Sequence, residues 1–189
     1  MKFYPSILNQ EELFLLKNLS SLKEVEFYLA GGTALALQLG HRTSIDLDFY
    51  RSKKFQAGEI TRALITSLPK IKIIGIAEGT IFGKLASIED IAAMKVAAVI
   101  QRGTQRDFID IYYLLKKYSL KKIISLTLKK YPGYQEQLIL QALIYFKDTE
   151  RKSKKRPIKI SDKKFSWGKA KKEIFEKVRE YQLEMIKKT

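Results

Sequence analysis

The chain has 189 residues, 46% of them hydrophobic, enough for one packed core or two small ones. Lysine and arginine number 36 against 20 acids, a formal net charge of +16 that fits a polyanionic partner or a basic surface without one. Cysteine is absent and His41 is the single histidine, which excludes disulfides, thiolate metal sites and multi-histidine zinc sites; a metal would rest mainly on oxygen ligands, as magnesium and manganese do.

No apolar run approaches the roughly 20 residues of a membrane span. The opening MKFYPSILNQEELF lacks the apolar stretch of a signal peptide, so a cytoplasmic location without membrane contact is expected. Asn9 and Glu12 are spaced as a capping box for a helix carrying Leu13, Leu16 and Leu19. Residues 25–30 (VEFYLA) read as a short strand, broken by Gly31 and Gly32. Residues 33–39 read as a short helix stopped by Gly40, with His41 as a C-terminal cap residue. In residues 44–50, Ile45, Leu47 and Phe49 alternate with Ser44, Asp46 and Asp48, which predicts a strand. A helix over 56–68 and a strand over 71–76 (IKIIGI) follow.

From Ser87 onward only helices are expected. Ser87 and Asp90 open one through IAAMKVAAVI, and Gly103 breaks it. The next starts at Thr104 or Gln105. Two more cover 120–130 and 134–146, a polar segment follows, and a last helix runs over about 169–187. Strands early and helices late predict an α+β fold. Residues 1–86 would form a small mixed β-sheet core with flanking helices. Residues 87–189 would form a basic, helical C-terminal subdomain packed onto it as one globular unit. Residues 151–189 carry 15 lysines and arginines against five acids, so +10 of the +16 lies there. Lys152, Lys154, Lys155 and Arg156, with Phe165 and Trp167 beyond, suit phosphates and a stacked base, or a solvated segment whose aromatics dock on the core.

In a strand, residues i and i+2 point the same way, so Asp46 and Asp48 share the face opposite Ile45, Leu47 and Phe49. Two such carboxylates, about 6–7 Å apart, repel when desolvated. A divalent cation removes the repulsion, and so does water on an exposed strand. Gly31-Gly32-Thr33 stands where strand becomes helix. It reads as a phosphate cradle of backbone N–H groups and a hydroxyl, or as a tight turn needing positive φ. Taken together, the two motifs describe a nucleotide-binding wall. Lys95 is the one positive charge in its apolar helix; it snorkels or meets a charged partner. Asp107 and Asp110 share a helix face, and Asp107 also suits a first helical turn.

The spacing G-G-T, 12 residues, D-L-D resembles the signature of polymerase-beta-like nucleotidyltransferases. The strings LAGGTALAL, HRTSIDLDF, SIEDIAAMKVAA, RGTQRDFIDIYYLL and ALIYFKDTE are similar to the AbiEii/AbiGii toxin branch over nearly the whole chain. The resemblance implies a magnesium-dependent (or manganese-dependent) transfer of a nucleoside monophosphate from a nucleoside triphosphate to an acceptor hydroxyl, on RNA or tRNA. It further implies the toxin of a bacterial toxin–antitoxin or phage-defence system, with an antitoxin protein as partner. Carried over by residue, Asp46 and Asp48 would ligate metal at the catalytic centre. Gly31, Gly32 and Thr33 would hold the nucleotide phosphates, supported by Arg42 and Ser44. Lys95 would contact phosphate or substrate, and Asp107 would act as an acid/base or orienting group, with Asp110 beside it. Related enzymes place a third carboxylate on a later strand, whereas here only Glu59 and Glu78 occur between Arg51 and Ala86. Either Glu78 or Asp107 fills that place, or activity is reduced or lost. The alternative is a catalytically degenerate member that binds RNA or an antitoxin. Transfer to a cationic small molecule is disfavoured by the basic surface.

Overall fold

Leu29 and Phe49, paired across two short strands and both buried, anchor the first half of the chain in this computed structural model. The structure describes residues 3–19, 26–51, 53–54, 56–67, 86–147, 149 and 159–187. The chain divides into two compact units, residues 1–86 and 87–189.

In the first unit, β1 (Tyr28–Ala30) runs antiparallel to β2 (Asp48–Tyr50), with Tyr28 opposite Tyr50, Leu29 opposite Phe49 and Ala30 opposite Asp48. Alternation puts Leu29 and Phe49 on one face and Tyr28, Ala30, Asp48 and Tyr50 on the other. A 3-10 turn (Pro5–Ile7) leads into α1 (Gln10–Asn18), whose Asn9–Glu12 capping box is formed in both directions. Helix α2 (Gly31–Leu39) begins directly after β1 and is buried from Gly32 through Gln38, as expected of a helix apolar on every side. It stops at Gly40, where φ is +64°. The Tyr4 N–H donates to the Leu37 carbonyl at 2.9 Å. Helix α3 (Ala57–Ser67) closes the described part of this unit with Ile60 buried.

The sheet differs from the expected one. Among the described residues it has two antiparallel strands. The first spans 28–30 rather than 25–30, and the second 48–50 rather than 44–50. Over 44–47 the chain is held by side chains instead of a strand partner: the Thr33 hydroxyl donates to the Asp46 carbonyl and meets Ser44. Without a pleat, Ile45 does not reach the core; it is 57% exposed, while Leu47 is half-buried and Phe49 buried. Helix α2 also starts two residues earlier than expected, because β1 hands over without a loop. The expected strand over 71–76, Glu78, and the basic run from Lys152 to Arg156 lie outside the described residues.

The second unit is helical throughout its described residues: α4 (Ile88–Gln101), α5 (Gln105–Leu115), α6 (Leu120–Lys130), α7 (Glu136–Ile144) and α8 (Trp167–Ile186). Helix α4 is central and touches α5, α6 and α7. Its alanines at 92, 93 and 97 are buried beside Ile91 and Val96, and small side chains let neighbouring axes approach. Helix α8 packs on α5, α6 and α7 through Ala170, Ile174 and Val178, spaced four apart along one face. Among the described residues the molecule is mostly helical, with eight α-helices and one small sheet, and no helix is long and apolar enough to cross a membrane.

A Cβ on Gly40 would come within 2.6 Å of the Tyr4 ring, at a positive φ that costs L-residues roughly 1–2 kcal/mol. Gly40→Ala is therefore expected to lower the unfolding free energy by at least that much, seen as a lower urea midpoint at unchanged slope. Gly58→Ala, with nothing within 4 Å of the new methyl, is expected to leave stability unchanged or raise it by up to about 1 kcal/mol.

Candidate functional site

The site in the first unit is built around the start of α2. Ala30 precedes the helix in extended conformation (φ −132°, ψ −151°) and offers no capping side chain to the first N–H groups of α2, which form its positive end. Gly31 has φ +64°. A Cβ there would meet Asp48 Oδ2 at 2.3 Å, so the Asp48 carboxylate already presses on the backbone at this end. One residue on, a Cβ on Gly32 would lie 2.6 Å from Arg42 Nη2 and 3.3 Å from Ser44 Oγ. The two glycines are therefore where Asp48, Arg42 and Ser44 close in on the helix start.

Arg42 is only 2% exposed, and its Nη1 donates to the Thr43 carbonyl at 2.9 Å. Its charge adds to that of the helix end, which suits an anion. Thr33 is fully buried. Its one proton goes to the Asp46 carbonyl, so at the 2.9 Å contact with Ser44 it is the Ser44 hydroxyl that donates. Thr33 thus pins the loop that carries Asp46. The carboxylates of Asp46 and Asp48 are both on exposed residues. The structure brings Gly31, Gly32, Thr33, Arg42, Ser44, Asp46 and Asp48 together in one unit. His41, buried behind Gly40, is not the cap; Gly40 itself is.

Lys95 and Asp107 belong to the second unit, where they cluster with Asp110 and Arg102. Lys95 Nζ lies 2.8 Å from Asp110 Oδ2 and 3.5 Å from Asp107 Oδ1. Arg102 grips Asp107 with two bonds, Nε to Oδ2 and Nη2 to Oδ1, each 3.0 Å. Thr104 adds its N–H at 3.3 Å and its hydroxyl at 2.5 Å, which makes Asp107 the third residue of a capping box for α5. Both carboxylates are fully buried, and the two cations balance them. Burial pushes the Asp107 carboxyl up, but the Arg102 hydrogen bonds, the Lys95 charge and Thr104 outweigh it and hold the group below the ordinary carboxylate range. In this arrangement Asp107 takes up a proton only by giving up bonds, and Lys95 reaches a substrate only by leaving an aspartate. Arg102 is the member that sequence reading missed. The spacing R-G-T-Q-R-D, with an arginine five residues before a helix-opening aspartate, is the signal that points to it.

Phe165 and Trp167 dock on the helical core. Trp167 packs edge-on against Phe108 and Phe146, and Phe165 lies against Tyr112 and Tyr113. That is the docked alternative for these two aromatics.

Asp46 and Asp48 offer oxygen donors only, and among the described residues no group of three or more carboxylates or histidines is placed to hold a metal ion. Magnesium binds through one or two carboxylates plus substrate phosphates and water, so the pair fits an ion that arrives with its nucleotide.

Residues 14–83 and 75–177 match the family described as Nucleotidyl transferase AbiEii toxin, Type IV TA system. The chain therefore belongs to the AbiEii family of nucleotidyl transferase toxins. It is 33% identical to an uncharacterized protein of Aquifex aeolicus (strain VF5), over 65% of this chain and 75% of that one. No solved structure matches.

A depressed carboxyl stabilises the fold above its unfolded value, here 3.8, and that contribution is lost as pH falls through the lower folded value. Asp107→Ala is expected to cost about 3–5 kcal/mol near pH 7, because it leaves buried Lys95 with one partner fewer. The gap from wild type should shrink as pH falls below 3.8, which denaturant titrations at pH 7 and in acid will measure.

Proposed function

We propose that this protein transfers a nucleoside monophosphate from a nucleoside triphosphate to an acceptor hydroxyl on RNA or tRNA, as the toxin of a toxin–antitoxin pair in the bacterial cytoplasm. The observation that carries the reading is the junction at Gly31 and Gly32. There a positive helix end, a buried arginine and the exposed Asp48 meet, with the backbone of exposed Asp46 tied to Thr33 two residues along.

The N–H groups opening α2 would receive the triphosphate, and the Arg42 guanidinium would add positive charge behind Gly32. Magnesium, or manganese, would be held by Asp46 and Asp48; when bound it supplies charge to the phosphoryl oxygens and lets carboxylate and phosphate share one helix end. The acceptor oxygen forms a bond to the α-phosphorus as the bond to the bridging oxygen breaks. Pyrophosphate leaves, and the hydroxyl proton passes to Asp46 or to water. Thr33 and Ser44 act by fixing the loop, so they position Asp46 rather than touch substrate. Lys95 and Asp107 join α4 to α5 within their own unit. The basic second half, +10 in residues 151–189, favours an RNA acceptor, and the toxin–antitoxin family implies an antitoxin counterpart.

A second reading has one observation behind it: among the described residues no third acid joins Asp46 and Asp48. A degenerate member would bind RNA or an antitoxin without turnover.

Incubation with each α-labelled nucleoside triphosphate and total RNA separates the two. Transfer is expected with magnesium or manganese, lost on chelation, and reduced at least ~100-fold in Asp46→Asn and Asp48→Asn. RNA binding without label transfer by the wild type would favour the degenerate reading and sink the enzymatic one.

A further inference from the structure

The sheet face that carries Asp48 also carries two aromatic rings. Tyr28 and Tyr50 are cross-strand partners, and their rings stack at 6.2 Å between centroids with 25° between planes. Both are half-buried. They share a face with Asp48, opposite the buried Leu29 and Phe49. A cross-strand aromatic pair steadies a short sheet. Its position here says more.

Order along the sheet is the key. Ala30, opposite Asp48, is the last residue before α2, so Asp48 stands at the phosphate end of the sheet. Tyr50 follows one strand repeat later, about 6–7 Å further from α2, with Tyr28 beside it. Asp48 therefore lies between the helix end and the tyrosine pair. In phosphoryl transfer the attacking and leaving oxygens lie roughly in line. With pyrophosphate departing along the start of α2, the incoming hydroxyl must arrive from the other side of the reacting phosphorus, the side the tyrosines occupy. The neighbouring carboxylates repel a phosphate backbone, so what suits this face is an uncharged flat group. Aromatic side chains on a sheet face stack bases of single-stranded RNA, and the partial exposure of Tyr28 and Tyr50 leaves part of each side chain to solvent beside exposed Asp48.

We propose that Tyr28 and Tyr50 form the stacking platform for the terminal base of the acceptor strand, across Asp48 from the phosphate-binding end of α2. The inference rests on the nucleotidyl transfer reading for its direction, but the platform binds a base whether or not turnover follows.

The test uses the full chain and a single-stranded RNA hexamer, intact or lacking its 3′-terminal base. Fluorescence anisotropy should show the wild type preferring the intact hexamer roughly ten-fold, within the range of one stacked base. Tyr28→Leu and Tyr50→Leu should abolish the preference, and Tyr28→Phe and Tyr50→Phe should keep it. Equal affinity of the wild type for both hexamers overturns the platform. So does a preference that survives in the leucine variants, or an equal loss on both hexamers, which would mark a structural role alone. Label transfer is scored separately. If the wild type transfers nothing, the enzymatic reading fails while a terminal-base preference still upholds the platform. If it transfers, the leucine variants should raise the acceptor KM about ten-fold and move the nucleotide KM less than about two-fold. A rise in the nucleotide KM alone overturns the assignment.

Discussion

A missing side chain at Gly31 sets the geometry of the first unit. With no Cβ and φ at +64°, the chain passes from β1 into α2 without a loop, and the Asp48 carboxylate can lie against the turn. A side chain there would be strained at that φ and would displace the Asp48 carboxylate. The same economy recurs at Gly32, where Arg42 fills the space a Cβ would take. Once these approaches are made, the rest is tied by polar contacts: Thr33 to the Asp46 carbonyl, Ser44 to Thr33, Arg42 to the Thr43 carbonyl. The loop over 43–47 is held by Thr33, rooted in a helix, which is how it carries exposed Asp46 without belonging to a sheet.

The second unit solves a different problem. Four charges sit near one another, two of them fully buried aspartates, in a helical core that would otherwise exclude them. Each buried carboxylate has a cation within 3.0 Å, and the sum of charges is zero. Such clusters add less stability than their bond count suggests, because desolvation opposes the attraction. What they add is selectivity of arrangement: Lys95 on α4 accepts one register of α5, the one that puts residues 107 and 110 beside it.

Much of this was legible in the sequence for local reasons. The Asn9 box, the Gly40 stop and the helices from Ser87 onward follow from capping chemistry and apolar spacing, which act within a few residues. The AbiEii motifs were legible as whole strings. The length of the strands was not. Residues 44–47 have perfect alternation, yet the chain there obeys a hydroxyl thirteen positions away, and no periodicity encodes that contact. Ile45 is exposed for the same reason. Lys95 and Asp107 were read for their charge, but the partner that engages Asp107 most fully is Arg102, whose pairing depends on how α4 ends and α5 begins. Tyr28 and Tyr50 carried no sequence signal, since only strand register brings them together.

Helix α2 has no solvent face along most of its length, and its far end is held by Gln38, which donates to the Ala86 carbonyl at 3.0 Å. A helix so enclosed has nowhere to tilt. Its start, at Gly31 and Gly32, is therefore held in one orientation by the packing around the rest of the helix. A change of volume at buried Leu35 or Leu37 would shift the helix as a rigid rod and move Gly31 and Gly32 with it. In this fold the interior of one short helix acts as part of the site's alignment.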